Sequence, residues 1–152
     1  MADPVAFKLV TPTQVVFDGN AELVIAVTTE GEEGILPKHA PFLAALKPGV
    51  LRANVLRQAQ DSAQDKAQDG QGASSRLEFA TSEGFMQALP DRITVLVDEA
   101  LAFGDVVVAE ARERLQAATE RQKGAAIGSE AYAREQVAID FANAQLRLTG
   151  HR

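Results

Sequence analysis

The stretch EGEEGILPKHAPFLAALKPG, residues 30–49, decides the fold, because it concentrates residues with special backbone requirements between two strand-like segments. Gly31 and Gly34 are predicted to occupy left-handed or closely packed backbone positions. The three prolines of the stretch fix φ and remove backbone donors, so the chain must turn at defined points. The stretch therefore predicts a loop of fixed shape around one histidine, His39.

Strand-like alternation extends on both sides of this stretch, up to about residue 103. Apolar residues recur at every second position, as at Leu23, Ile25 and Val27. Turn signals such as Pro90-Asp91 separate the runs at short intervals, which predicts antiparallel hairpins in a β-sandwich or flattened barrel over residues 1–103. Residues 23–27 are apolar on both faces, so we expect the helical segment or another chain to cover this sheet from outside.

The apolar period changes to three and four from residue 104 onward, which predicts two helices in an antiparallel hairpin over residues 104–152. Asp105 and Ser129 are predicted N-caps, and Gly150 is a predicted C-terminal stop. A glycine-bounded connection is predicted at residues 124–128. The Ala-rich helix faces bury little area, so we expect the hairpin to be held less firmly than the sandwich.

Residues 58–75, QAQDSAQDKAQDGQGASS, form a polar insertion within the β region. They include no large apolar residue and cannot offset the entropy of ordering by burial. The insertion is therefore predicted to be a protruding hairpin loop or disordered, and we expect its removal to be harmless.

Composition excludes several classes of function. The 152 residues include no cysteine and only two histidines, His39 and His151, so no metal site, cofactor site or catalytic triad is predicted. The net charge of −6 disfavours nucleic-acid binding. No apolar run is long enough to span a bilayer, so direct membrane insertion is not expected. The start of the chain has no signal-peptide or transit character.

The charged residues and the histidine of the loop could serve catalysis or a simpler role. Glu32, Glu33 and His39 are acid–base candidates, but adjacent glutamates are more typical of a solvated turn, and no nucleophile or phosphate-binding loop accompanies them. The residues alone leave two roles open for His39, a contact to a partner or a half-buried structural histidine. A stand-alone β-sandwich binding module or small enzyme with a helical tail is the alternative to an assembly subunit.

The order of short motifs resembles the epsilon subunit of F-type ATP synthases. The signature loop of that family is matched by Gly31-Glu32, Gly34-Ile35-Leu36-Pro37, His39-Ala40-Pro41 and Lys47-Pro48-Gly49. Further matches are residues 7–12, Phe17-Asp18-Gly19, residues 82–85 and residues 93–96. The resemblance implies a ten-stranded N-terminal β-sandwich followed by a two-helix hairpin. It also implies a non-catalytic rotor subunit that clamps the gamma subunit to the c-ring and restrains ATP hydrolysis.

The resemblance also implies contact residues. Those expected at the c-ring are Gly31, Glu32, Glu33 and Gly34, and those expected at gamma are Thr11, His39, Phe42 and Ala44. The basic residues expected to meet the alpha/beta catalytic head are Arg112, Arg114, Arg121 and Lys123. Pairing within the helix, such as Glu110 with Arg114, is the ordinary alternative for this charge.

Some members of the family bind ATP at the hairpin, but the corresponding motif is degraded here. In residues 108–113 only Val108 and Arg112 fit it, and Glu113 places a carboxylate near the phosphate position. Arg147 remains a possible phosphate partner, so weak or absent ATP binding is predicted. The missing presequence favours a bacterial source over a plastid one, and with it a peripheral location at the cytoplasmic face of the plasma membrane.

Overall fold

The computed structural model describes residues 4–56 and 74–150. Most of the predicted polar insertion lies outside these residues, as does His151. The described chain forms nine strands, then a 3₁₀ turn at Phe103–Asp105 and two helices. The strands are β1 (Val5–Val10), β2 (Val15–Thr28), β3 (Gly31–Ile35), β4 (Phe42–Leu46), β5 (Gly49–Leu56), β6 (Ser74–Thr81), β7 (Gly84–Leu89), β8 (Arg92–Val97) and β9 (Ala100–Ala102). The helices are α1 (Val108–Lys123) and α2 (Glu130–Leu148).

The strands form one continuous sheet that folds into two layers joined through β2. The order is β1-β8-β7-β4-β2-β5-β6-β9, with β3 also paired to β2 and with β1 closing back onto β2. Among these pairs β1 and β8 run parallel, and the others are antiparallel. The early part of β2 pairs with β1, and the later part pairs with β3 and β5. The first layer is thus β1, β8, β7 and β4, and the second is β3, β5, β6 and β9.

The core lies between the two layers, as period-two alternation predicts. In β1 and β8 buried and less buried residues alternate strictly along the chain. The largest fully buried side chains come from both layers and include Phe7, Leu9, Ile35, Leu51, Met86 and Ile93. The described residues form nine strands where ten were implied, because β2 continues through 14 residues as a single strand while serving both layers.

The hairpin rests folded against the outer face of the second layer. A small cluster joins Ala80 of β6 to Phe141 and Ala144 of α2, and half-buried apolar side chains pack around it. These surrounding side chains are Val50, Leu101 and Leu148. Helix α1 packs on α2 and buries Ala111 and Ala118 completely. The helical segment therefore covers β5 and β6 of this layer, whereas Leu23, Ile25 and Val27 of β2, which led to the expectation of a cover, stay half-buried.

The predicted helix boundaries are correct at two positions and wrong at one. The Ser129 hydroxyl oxygen accepts a hydrogen bond from the Tyr132 N–H at 3.1 Å, so Ser129 is the N-cap of α2. Gly150 follows α2 with φ of 83°, as a C-terminal stop requires. Asp105 does not cap α1, because its carboxylate accepts from the Ala102 N–H within the 3₁₀ turn and the helix begins after Val107.

Candidate protein interface

The acidic segment at residues 31–34 is an edge strand instead of the predicted loop. It belongs to β3, which pairs with β2 along one side through a two-residue turn. The Thr28 hydroxyl donates to the Gly31 carbonyl at 2.7 Å and accepts from the Glu30 N–H at 3.1 Å, so the turn is fixed by hydrogen bonds. Gly31 has φ of 124°, which confirms the need for glycine there. A Cβ on Gly34 would make only ordinary contacts within the chain, so the special backbone position predicted for it is wrong.

The two glutamates of β3 point to opposite faces, because alternate residues of a strand do so. Glu32 accepts a hydrogen bond from the Arg52 guanidinium at 2.6 Å. Arg52 lies on β5 and reaches Glu32 across the intervening strand β2. The Glu32 side chain is 58% exposed, so this ion pair orients it more than it stabilises the fold. The acidic edge, formed by Gly31, Glu32, Glu33 and Gly34, is thus a strand edge on which Glu32 has a fixed orientation.

His39 lies at a strained turn just before β4. Lys38 has φ of 65°, and its N–H donates to the Pro90 carbonyl at 3.0 Å. The His39 Nδ1 lies 2.9 Å from the Ala40 carbonyl oxygen, and the ring packs edge-on against Phe42 with centroids 5.1 Å apart. A carbonyl oxygen only accepts, so this contact places a proton on Nδ1. In the neutral ring Nε2 is then an acceptor, which leaves His39 able to serve both proposed roles.

Strand β4 turns different side chains outward from those expected. Phe42 and Ala44 pack against the core, where Ala44 lies opposite the fully buried Met86 of β7. Leu43 and Ala45 therefore face outward, and Leu43 is 70% exposed. Phe42 and Ala44, which are expected to contact gamma, therefore lie on the core side of β4, and their contact with gamma stays a prediction.

A row of apolar residues crosses the outer side of the first layer. Cross-strand neighbours place these residues side by side on five strands, Ala45, Phe85, Leu96, Val10 and Val15. Phe85, Leu96 and Val15 are each more than half exposed. We call this row, together with Leu43, the outer apolar face. It lies on the side of the sandwich opposite the hairpin, since α2 packs on β5 and β6 of the second layer.

Thr11 borders the outer apolar face, in a depression that Val10, Phe85 and Leu96 also line. Its side chain is nearly buried, and its hydroxyl donates to the Gln14 carbonyl at 3.3 Å. Gly84 also lines this depression, and a Cβ on Gly84 would lie 1.9 Å from the Leu96 carbonyl oxygen. The close approach of β7 and β8 at this point therefore requires glycine.

The basic residues of α1 differ in their surroundings. Arg112, Arg114, Arg121 and Lys123 are all exposed. Arg121 donates to Glu135 of α2 at 3.0 Å, and Lys123 lies 3.5 Å from Glu120. The expected pair between Glu110 and Arg114 is not among the ion pairs of the described residues. Arg112 and Arg147, the candidate phosphate contacts, are solvent-facing residues of different helices, and nucleotide binding there stays a prediction.

The described residues offer neither a metal-ion site nor a membrane-spanning helix. Residues 4–56 and 74–150 hold no group of three or more His, Asp or Glu side chains suited to a metal ion. Neither α1 nor α2, the helices of this part of the chain, is long and apolar enough to cross a membrane.

Comparison with known proteins identifies the family. The family model described as ATP synthase, Delta/Epsilon chain, beta-sandwich domain matches residues 4–103. The ATP synthase epsilon chain of Magnetococcus marinus is 34% identical over 147 residues, which cover 96% of this chain and 94% of that one. The chain belongs to the ATP synthase epsilon chain family. ATP synthase epsilon chain 1 of Methylococcus capsulatus is similarly related, at 35% identity over 147 residues, 97% of this chain and 93% of that relative.

Solved structures support the fold of this epsilon-family chain. A chain from the Euglena gracilis mitochondrial ATP synthase, solved as OSCP/F1/c-ring in rotational state 1, superposes with a TM-score of 0.69 at 16% identity. The match covers 97% of the present chain and 82% of the Euglena chain. A chain of the Tetrahymena thermophila mitochondrial central stalk/c-ring structure gives a TM-score of 0.61 at 16% identity, covering 97% and 98%.

Membership in the epsilon family confirms the resemblance found in the sequence motifs and the predicted class of a β-sandwich followed by a helical hairpin. An ATP synthase epsilon chain is a subunit of an enzyme complex, which favours the subunit interpretation over a stand-alone binding module or small enzyme. The family assignment leaves open which surfaces of this chain meet other subunits. The outer apolar face was not predicted from the sequence. A signal for it exists, because Phe85 and Leu96 are apolar although they occupy strand positions that alternate with the core-facing ones and are therefore expected to face solvent.

Proposed function

We propose that this epsilon chain is a non-catalytic rotor subunit of the central stalk of a proton-translocating F-type ATP synthase, where it couples the gamma subunit to the c-ring. The observation that carries the proposal is the outer apolar face. Large apolar side chains exposed side by side are a liability on a monomer and are typical of a surface that a partner covers. Phe85 is 57% exposed and Leu43 is 70% exposed, and the two belong to adjacent strands.

The gamma subunit is the proposed partner of the outer apolar face. Thr11 contributes at the border of this face, and His39 contributes through its free Nε2 at the start of β4. Phe42 and Ala44 support this contact indirectly, because they pack against the core and hold β4 in place. A sheet surface backed by a packed core is rigid, which suits the transmission of torque.

The c-ring is the proposed partner of the acidic edge, formed by Gly31, Glu32, Glu33 and Gly34. The Arg52–Glu32 pair and the Thr28 hydrogen bonds hold this edge in one conformation. Gly34 needs no special conformation within the chain, and its missing side chain leaves room for another subunit to approach the strand closely. Contact with the c-ring would make the chain peripheral to the membrane, at the cytoplasmic face in a bacterium.

The helical hairpin is the proposed inhibitory element. Arg112, Arg114, Arg121 and Lys123 supply positive charge for acidic segments of the alpha/beta catalytic head. Such contact requires the hairpin to leave the sandwich. The cluster that docks the hairpin contains three buried residues, Ala80, Phe141 and Ala144, against seventeen in the sandwich core, so its release costs little compared with opening that core.

Binding to gamma tests the proposal. Phe85→Glu places a charge in the centre of the outer apolar face without touching the core, so the isolated chain should fold normally. Central aromatic residues of an interface often contribute about 2 kcal/mol or more, so co-purification with gamma should fall at least about tenfold. Ile127→Glu is the matched control, because Ile127 is 88% exposed at the hairpin tip, far along the chain from this face. Undiminished recovery of gamma with Phe85→Glu would contradict the proposal.

A further inference from the structure

A cleft separates the helical hairpin from one end of the sandwich, next to the apolar docking cluster, with which it shares Phe141. Its hairpin wall carries three arginines, Arg114 and Arg121 from α1 and Arg134 from α2. Its sandwich wall carries three acids, Glu83 from the β6–β7 turn and Asp98 and Glu99 from the β8–β9 turn. Charges of opposite sign thus line opposite walls.

The acidic wall is held rigidly. The Ser82 N–H donates to the Glu99 carbonyl at 3.0 Å, and the Glu99 N–H donates to the Ser82 hydroxyl oxygen at 2.8 Å. The Asp98 N–H donates to the Glu83 carbonyl at 3.2 Å. These bonds tie the backbones of the two turns together, so the three exposed acids are carried side by side at one end of the sandwich.

The charges across the cleft are largely uncompensated by closer partners. Arg121 pairs with Glu135 within the hairpin. Arg114, Arg134 and the three acids form no ion pair with any of residues 4–56 and 74–150. The floor of the cleft includes Gln145, which is 3% exposed and whose side-chain nitrogen finds no hydrogen-bond partner in the described chain. Apart from Arg134 and Gln145, the α2 residues that line the cleft are apolar, and the charged groups of opposite sign lie on its two sides without direct ion pairs across it.

We propose that this cleft is an electrostatic latch, in which attraction between the two walls holds the hairpin in its folded position. Charges that face each other across a solvated gap still attract within a Debye length, which is about 8 Å at physiological ionic strength and about 3 Å at 1 M salt. The apolar cluster beside the cleft is small, so even a modest attraction between the walls shifts the balance between the folded and released hairpin. Ionic strength, or an anion that competes for the arginines, then shifts the hairpin towards release.

Two of the four proposed inhibitory residues take part in the latch. Arg114 and Arg121 line the same cleft as the sandwich acids when the hairpin is folded, whereas Arg112 and Lys123 do not line it. Acidic segments of the catalytic head would compete with Glu83, Asp98 and Glu99 for the same guanidinium groups. This regulatory consequence depends on the proposed function, but the latch is a property of the isolated chain and is tested there.

Thiol labelling measures hairpin opening directly, because the chain has no cysteine of its own. Ala144→Cys introduces one thiol into the docking cluster, where the native side chain is 1% exposed. Its labelling rate reports the open population even when that population is small. Ala126→Cys, at an exposed position of the helix connection, supplies the reference rate that corrects for effects of salt on the labelling chemistry.

The latch predicts a specific pattern of rates in the Ala144→Cys background. Arg114→Glu should accelerate labelling roughly 3- to 10-fold, because it replaces attraction by repulsion at a partly solvated site. Arg112→Glu, two residues away on the same helix but outside the cleft, should change the rate less than about twofold. Raising the salt concentration from 0.05 to 0.5 M should accelerate labelling of the thiol when the cleft is otherwise native. The same increase should have a smaller effect on the Arg114→Glu variant, because the attraction is already lost there.

Charge exchange decides whether the two walls act on each other. Glu83→Arg with Asp98→Arg should also accelerate labelling, and combining this pair with Arg114→Glu and Arg134→Glu should return the rate towards that of the parent. Circular dichroism of each variant verifies that both helices persist. Equal effects of Arg114→Glu and Arg112→Glu, or additive acceleration when both walls are reversed, would overturn the latch. A gamma-binding result would not bear on it, so failure of the latch and failure of the proposed function are distinguishable.

Discussion

Phe141 is the main anchor of the hairpin, and its removal should release α2 while leaving the sandwich intact. The side chain is 6% exposed, and its buried neighbours in the cluster are two alanines, Ala80 and Ala144. Burial of a phenylalanine side chain contributes about 1.5–3 kcal/mol, and phenylalanine-to-alanine changes in deep cores cost about 3–5 kcal/mol. This cluster lies near the surface and can partly collapse, so we expect Phe141→Ala to weaken docking by about 2–3 kcal/mol. That loss corresponds to a roughly 30- to 150-fold rise in the open population.

Amide hydrogen exchange measures this effect for each element separately. Helices of 16 and 19 residues are marginal in water once they lose tertiary packing, so α2 amides should exchange faster by about the same factor. The amides of β1, β7 and β8 should keep their protection, because the main core does not include Phe141. Ile127→Ala is the control, since Ile127 is 88% exposed and should change nothing. If α2 exchange accelerates by less than about threefold, or if exchange accelerates equally throughout the sandwich, Phe141 is not the main anchor of the hairpin.

Three further predictions concern the backbone, the helix cap and the hairpin as a whole. Gly84→Ala should lower the free energy of unfolding by more than about 2 kcal/mol in denaturant titrations, because the new Cβ would clash with the Leu96 carbonyl, whereas Gly104→Ala meets open space and should be neutral. Ser129→Ala should destabilise the hairpin by about 1 kcal/mol, visible as lower helicity on heating, and Ser129→Asp should restore it. Deletion of residues 105–152 should raise ATP hydrolysis by the assembled enzyme without preventing assembly; unchanged hydrolysis would contradict the inhibitory role.

The sequence pattern predicts the two structural classes of this chain because each class has its own apolar period. Strand alternation places Phe7 and Leu9 in the core, and the glycine and serine signals place the ends of α2 correctly. Asp105 fails as a cap because a 3₁₀ turn takes its carboxylate for the Ala102 N–H. Local propensity carries no information about which of two competing backbone donors a carboxylate will find.

The outward side of β4 is not predictable from alternation, because residues 42–45 are all apolar. Only the pairing with β7, which sets Ala44 opposite Met86, decides that Phe42 faces inward and Leu43 outward. A shift of one residue in a strand exchanges its two faces, and local sequence does not fix that phase when both faces are apolar.

The charged cleft depends on tertiary structure in another way. Its acids come from two turns that are separated along the chain, and its arginines come from two helices. Each of these charges, taken by itself, is typical of a solvated surface, and the charges of α1 are ordinarily explained by pairing within the helix. The opposition of the two groups arises only when α2 docks on β5 and β6.

Site-specific crosslinking in the intact ATP synthase would show which subunit covers the outer apolar face. A photoreactive amino acid at Phe85, in the middle of the outer apolar face, lies on a surface that the folded chain itself leaves uncovered. We expect a dominant crosslink between this position and the gamma subunit in the assembled enzyme. A position that stays uncrosslinked, or that crosslinks only to subunits other than gamma, would contradict the proposed contact.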